Sequence, residues 1–165
     1  RNLPPLVIDA DGLNLLAQVP DWPDRIPSMS VLTPHPGEMS RLTGLSTTEI
    51  QADRRDIATK WAGKWGHVVV LKGAFTVIAA PDRAPVILPF ANPGLSSAGT
   101  GDVLAGTIVA LRAQGLNPFH AALAGAYLHG LAGEIATARY GSAGTAASDV
   151  ALALTDAWRR LTRGS

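Results

Sequence analysis

Asn92-Pro93-Gly94-Leu95-Ser96-Ser97-Ala98-Gly99-Thr100-Gly101-Asp102-Val103-Leu104-Ala105-Gly106 opens as a turn-rich segment. It then passes through Gly-Thr-Gly into a long apolar helical pattern headed by one carboxylate. Backbone N–H groups left free where a helix begins face an anion well, and the helix dipole favours negative charge there. Phosphate repels an aspartate at the same place unless the carboxylate has a task, such as accepting a proton from an attacking hydroxyl. Asp102 to Ala113 is apolar nearly all round, which places this helix between a sheet and other helices.

Downstream the chain reads as helical. Gly115-Leu116-Asn117-Pro118 interrupts the pattern, with Asn117 placed to cap and Pro118 at a first helical position. Phe119 to Tyr140 forms a long helix whose Gly125, Gly130 and Gly133 predict close approach by a neighbour; Gly141 stops it, and Thr145 to Arg163 forms the last helix. His120, His129 and Glu134 do not make a metal set, because the spacing of His129 and Glu134 is wrong for one helix face and there is no His-Glu-x-x-His. Arg159, Arg160 and Arg163 read as a solvated last turn rather than a binding tail.

Upstream lie short apolar runs ending in chemically capable turns. Leu6-Val7-Ile8 has no polar alternation, as expected of a buried parallel strand, and it ends in Asp9-Ala10-Asp11-Gly12-Leu13-Asn14. Carboxylates there sit at the edge where open α/β sheets bind ligands, with Asp9 and Asp11 on one side while the chain stays extended. Alternatively Asp11 or Asn14 caps a short helix and Asp9 satisfies buried amides. Gln18 to Ser30, with Pro20, Pro23 and Pro27, is a loop; Val31-Leu32 is a second strand that stops at Thr33-Pro34-His35-Pro36-Gly37-Glu38. A helix from Pro36 or Gly37 to Thr43 leaves His35 on a stiff strand-to-helix turn, in a structural or a functional role.

Thr47 or Thr48 opens the next helix, with Asp53, Arg54, Arg55 and Asp56 exposed and Gly66 at its end. His67 to Leu71 is the clearest strand, turning sharply at Lys72-Gly73-Ala74; Thr76 to Ala80 and Pro85 to Pro89 follow as antiparallel neighbours at one end of the sheet. Lys72 is either a solvated strand-end residue or a ligand contact beside small residues that admit close approach. The elements together predict an α/β fold with a mainly parallel central sheet and helices on both faces. In such a sheet the turns at Asp11, His35 and Lys72 converge with Gly99 to Asp102.

Size and composition set outer bounds. The chain, Arg1 to Ser165, is one domain's worth of ordinary globular composition, and its net charge of +1 gives no electrostatic reason to expect nucleic acid. It has no cysteine, so thiolate metal sites and disulfides are excluded, in keeping with a reducing cytoplasm. Arg1 to Pro5 leads into a strand-like run rather than an apolar leader segment, and no stretch approaches a membrane span.

The Gly-Thr-Gly-Asp run is neither a Walker A loop nor a dinucleotide fingerprint. It has the layout for phosphorylating a hydroxyl: Gly99, Thr100 and Gly101 offset charge on the moving phosphoryl while Asp102 orients and deprotonates the acceptor, unless Asp102 only caps its helix.

At these residues the chain resembles the ADP/ATP-dependent NAD(P)H-hydrate dehydratases of the ribokinase-like superfamily. The resemblance is carried by Asn92 to Gly106 and extends to Asp9-Ala10-Asp11-Gly12-Leu13-Asn14, Thr33 to Glu38 and Lys72-Gly73-Ala74, in the family's order. It implies a ribokinase-like layered fold and repair of a damaged cofactor. The (S)-hydrate of NADH or NADPH is phosphorylated at its hydroxyl by ADP or ATP and then loses phosphate. Carried over by position, Asp102 is catalytic, with Gly99, Thr100 and Gly101 as the anion hole. His35, Asp102, Asp11 and Asn14 meet the hydrate, and Lys72, Gly73, Ala74, Phe75, Thr76 and Gly101 hold the adenine nucleotide. The resemblance also implies Mg2+, with no protein ligand identifiable, and a homo-oligomer, commonly a tetramer.

Two departures follow from the same comparison. The family usually carries a further glycine where Phe75 stands. The chain also begins at what resembles the middle of the family's domain, so it is expected to behave as a fragment or half-domain lacking its N-terminal portion. Purified alone it should then aggregate, oligomerise or be inactive. A ribokinase-like small-molecule kinase and an inactive nucleotide-binding fragment are the competing expectations.

Overall fold

The computed structural model describes residues 3–163, including the backbone but not the side chain of Arg163. Arg1 and Asn2 of the leading segment, and the Arg163 side chain of the basic last turn, lie outside the described residues.

Five short strands form one sheet in sequence order: β1 (Val7–Ile8), β2 (Val31–Leu32), β3 (Val68–Leu71), β4 (Val77–Ala79) and β5 (Val86–Ile87). β1, β2 and β3 run parallel, whereas β3, β4 and β5 are joined antiparallel. The sheet is therefore mixed, its parallel half fed by helical crossovers and its antiparallel half by short loops.

The period-2 alternation of the strands divides the apolar residues between two cores. Val31, Val68, Val70 and Ile78 face α5 (Thr100–Ala113), α6 (Pro118–Tyr140) and α7 (Ala147–Arg163). Leu32, Val69, Leu71 and Val77 face the opposite way, onto α1 (Asp11–Leu16), α2 (Pro36–Thr43), α3 (Thr47–Ala52) and α4 (Arg54–Trp65). Helices thus cover both faces, as the patterns predict. Among the described residues no helix is long and apolar enough to cross a membrane.

The glycines of α6 mark its contacts. A Cβ on Gly125 would lie 2.7 Å from Ile108 of α5, and one on Gly133 would lie 2.6 Å from Leu95. Gly130 is closed in by the Phe90 ring. These approaches press the 90–96 loop and α5 onto α6, which seats the Gly-Thr-Gly segment.

Several features differ from the sequence expectation. The helix expected from Thr47 to Gly66 is two helices, because Asp53 leaves helical geometry (φ −144°, ψ 59°) and its carboxylate caps α4 through the Asp56 N–H at 3.3 Å. Arg54, expected to be exposed, is half-buried. α5 begins at Thr100, so Asp102 sits inside the first turn rather than at its head.

Candidate active site

One wall of the site stands on the parallel half of the sheet. β3 is prolonged by the Lys72 N–H donating to the Pro34 carbonyl at 2.8 Å, which fixes where the lysine side chain departs. Its Nζ donates to Asp9 Oδ1 at 2.6 Å and lies 3.7 Å from Glu38 Oε2. All three side chains are largely buried, so the pairs are screened far less than surface pairs would be.

Asp9 reaches Lys72 because the chain turns immediately after it. Ala10 adopts φ 48°, and the Gly12 N–H donates to the Asp9 carbonyl at 3.0 Å. That turn ends the extended run on which a shared side for Asp9 and Asp11 depended. Asp11 instead opens α1 at the surface, where Asn14 Nδ2 donates to it at 3.4 Å and Arg41 donates to Asn14 at 3.1 Å. Neither Asp11 nor Asn14 caps α1, whose N-cap is Ala10 without a side-chain bond.

His35 and Glu38 lock each other. His35 Nδ1 accepts from the N–H groups of Gly37 and Glu38 at 2.9 and 3.2 Å, and Glu38 Oε2 accepts from the His35 N–H at 2.8 Å. This reciprocal cap satisfies donors that a helix start leaves open. With Nδ1 accepting, Nε2 carries the hydrogen, and it lies 3.4 Å from Glu38 Oε1. Half of the His35 side chain remains exposed, so the capping histidine still presents a face outward. Gly37 is required beneath it, since a Cβ there would lie 2.8 Å from His35 Cε1.

The second wall is the start of α5. Thr100 is buried, and its hydroxyl contacts the Leu95 and Ser97 carbonyls at 2.7 and 2.8 Å while its N–H donates to Ser97 at 3.3 Å. Thr100 therefore braces the loop. Among the described residues the N–H groups of Gly99, Gly101 and Asp102 have no partner, and these are the donors offered at the helix start. Gly99 adopts φ 84°, which a glycine takes without strain. The Asp102 carboxylate is exposed and makes no hydrogen bond or ion pair among the described residues; it does not cap its helix.

The two walls meet at Gly101. A Cβ there would lie 3.4 Å from both Asp9 Oδ2 and Lys72 Nζ, so the helix start faces the Lys72 ion pairs at van der Waals range. Beside them opens a cavity of about 360 Å³, bordered by Lys72, Gly73, Ala74 and Thr76 on one side and Thr100 and Gly101 on the other. The turn on its rim is closed by Thr76 Oγ1 donating to the Gly73 carbonyl at 3.0 Å and the Phe75 N–H donating to Phe90 at 2.7 Å. Phe75 is exposed and holds φ 54°, a conformation natural to glycine.

Three residues of this site were not among the site residues expected from sequence: Asp9, Glu38 and His129. His129 lines the cavity, and its Nε2 lies 2.9 Å from the Thr100 carbonyl. A carbonyl only accepts, so Nε2 carries the hydrogen. Burial pulls its pKa down to about 4, against the opposing effect of that hydrogen bond, and the Lys72 charge pulls the same way as burial. At neutral pH His129 is thus an uncharged tie between α6 and α5. The apolar helix pattern around it gave no signal of this, whereas Asp9 and Glu38 stood in motifs already marked.

Asp9 and Glu38 are engaged by Lys72, Asp102 is free, and among the described residues no three His, Asp or Glu side chains cluster as a metal cage. That donor set fits a magnesium ion carried on phosphate oxygens and completed by a carboxylate or water.

An α/β sandwich with this layering is the ribokinase-like fold: a ribokinase-like superfamily protein of Enterococcus faecalis superposes with a TM-score of 0.76 at 27% identity, over 96% of this chain and 54% of that one. Residues 1–156 match the family model described as NAD(P)H-hydrate dehydratase, and the chain belongs to that family. It is 50% identical to the bifunctional NAD(P)H-hydrate repair enzyme Nnr of Moorella thermoacetica over 88% of this chain and 28% of that protein. The crystal structure of the Bacillus subtilis ADP/ATP-dependent NAD(P)H-hydrate dehydratase, grown with ATP/Mg2+, superposes with a TM-score of 0.84 at 36% identity, over 94% of this chain and 55% of that one. The chain thus spans between about a quarter and about half of the length of these proteins.

Proposed function

We propose that the protein dehydrates the (S)-hydrate of NADH or NADPH, using ADP or ATP as phosphoryl donor. The observation that carries this is the free Asp102 carboxylate beside the unpaired Gly99 and Gly101 N–H groups, with Lys72 facing Gly101 at the cavity. Lys72 and the Gly73–Thr76 turn hold the nucleotide's phosphates, and the helix start receives the charge of the phosphoryl in transit. Asp102 accepts the proton of the hydrate's hydroxyl as its oxygen bonds to phosphorus and the bond to the remaining nucleotide breaks. The carbon–oxygen bond then breaks with its electron pair leaving on phosphate, and loss of a proton from the neighbouring ring carbon restores the double bond. A magnesium ion on the phosphates neutralises their charge when bound.

The exposed half of the His35 side chain meets the hydrate, with Asp11 and Asn14 linked to Arg41 beside it. Exposed Ile87, Trp158 and Leu161, around an apolar groove, favour a homo-oligomer over a monomer, which sedimentation of the full-length protein tests. The activity test incubates that protein with NADH hydrate and either ADP or ATP. Recovery of reduced-nicotinamide absorbance is expected with release of phosphate. Accumulation of a phosphorylated small molecule without that recovery indicates a kinase instead.

A further inference from the structure

The Lys72 turn rests on a residue that belongs to none of the sequence motifs. Arg54 opens α4, and its Nη2 donates to the carbonyls of Leu71 and Lys72 at 2.8 and 3.2 Å, while Nη1 donates to Gln51 Oε1 at 2.7 Å. Its guanidinium packs flat behind the turn: Nη1 and Nη2 lie 3.1 and 3.2 Å from the position a Cβ on Gly73 would take. Gly73 lines the cavity and Arg54 does not.

This is a cation in an unusual setting. Among the described residues no carboxylate lies within ion-pairing distance of Arg54, and its Nε is buried without a partner. Burial pulls the guanidinium pKa below its ordinary value. A half-buried arginine with only neutral acceptors is costly to keep unless its field or its geometry is used.

The geometry shows a use. A trans peptide points its C=O and its N–H in opposite directions. With the Lys72 carbonyl held on Arg54, the N–H of the same peptide, that of Gly73, is turned away from Arg54. That N–H has no partner among the described residues. We propose that Arg54 is a positioning residue of the nucleotide site: it holds the Leu71 and Lys72 carbonyls, thereby aims the Gly73 N–H at bound phosphate, and adds an unneutralised positive charge behind the turn. This rests on the assignment of the turn to nucleotide phosphate made above.

The test is calorimetric titration of the full-length protein with ADP, in the parent, Arg54→Lys and Arg54→Gln, with steady-state KM for the hydrate and thermal midpoints measured alongside. Lysine keeps the charge but cannot span two carbonyls with a planar fork. Arg54→Lys is expected to weaken ADP binding about tenfold and Arg54→Gln further, with a shallower salt dependence in the glutamine variant and the hydrate KM held within about twofold. ADP affinity within about twofold of the parent in both variants, whatever the thermal midpoints do, overturns the proposal. A parent that binds no ADP overturns instead the assignment of the turn to nucleotide, and with it this role.

Discussion

The two walls of the site are built on different principles. The α5 wall is shaped by local bonds: Thr100 reaches Leu95 and Ser97, and Asn92 Oδ1 accepts from the Gly94 N–H at 2.8 Å. It is then tied to the C-terminal part of the chain by His129 on the Thr100 carbonyl and Ser97 on the Thr145 carbonyl. The Lys72 wall is held by side chains far apart in sequence, since Asp9 stands 63 positions from Lys72. Their acids differ accordingly. Asp9 and Glu38 are occupied by a lysine, whereas Asp102 is exposed and unengaged. A proton acceptor needs a free lone pair, so the local wall supplies chemistry and the long-range wall supplies grip.

The sharpest way to break that division is to neutralise one acid on each wall. Asp102→Asn removes the proton acceptor and is expected to lower kcat by about 10²- to 10⁴-fold with little change in either KM. Asp9→Asn instead loosens Lys72 and is expected to raise the nucleotide KM, with kcat much less affected. Steady-state kinetics on both variants decides: a large kcat loss in Asp9→Asn with Asp102→Asn spared would falsify the assignment.

His129 ties the α5 wall to α6, and its effect is read in stability rather than turnover. Its folded pKa of about 4 lies below the ordinary histidine value, so between the two the unfolded chain binds a proton that the folded chain refuses. The stabilising contribution is whole above about pH 6.5 and is lost as pH falls toward 4, on the order of 3 kcal/mol in all. His67 works in the same direction: it is buried against Trp22 beside Asp24, and burial lowers its pKa. Urea unfolding at stepped pH is expected to show this slope, and His129→Gln is expected to flatten it. An unchanged slope in that variant removes His129 as the source.

What the sequence made legible follows the same division. The sheet strands and the glycine contacts of α6 were readable, because apolar period and small residues act locally. The burial of α5 was not: despite its nearly all-round apolar pattern it buries only the face of Thr100, Leu104, Ile108 and Leu111 and leaves Val109 exposed. The helix break at Asp53 was not, because a single aspartate left the helical pattern of its neighbours intact and ended α3 by capping α4. Asp11 rather than Asp9 was expected at the site, and the two were separated by the positive-φ turn at Ala10, a conformation no alanine announces. His129 and Arg54 were unreadable for a related reason: each acts through a backbone carbonyl of a distant element, and carbonyls have no sequence signature.

Phe75 offers the finest adjustment of the Lys72 wall. Its conformation has a physical cost, because Phe75 holds φ 54° with its ring exposed. A non-glycine residue in that region loses about 1–2 kcal/mol, and glycine there adds about 0.4–1 kcal/mol of unfolded-chain entropy against folding. The strain term is the larger, so Phe75→Gly is expected to stabilise the protein by up to about 1 kcal/mol in thermal or urea unfolding. Phe75→Asn, which tolerates the same backbone without the added chain entropy, is expected to do at least as well. If both lower stability, the ring contributes packing that outweighs backbone strain, and the turn is held from outside by the aromatic side chain rather than by the Phe75 N–H on Phe90.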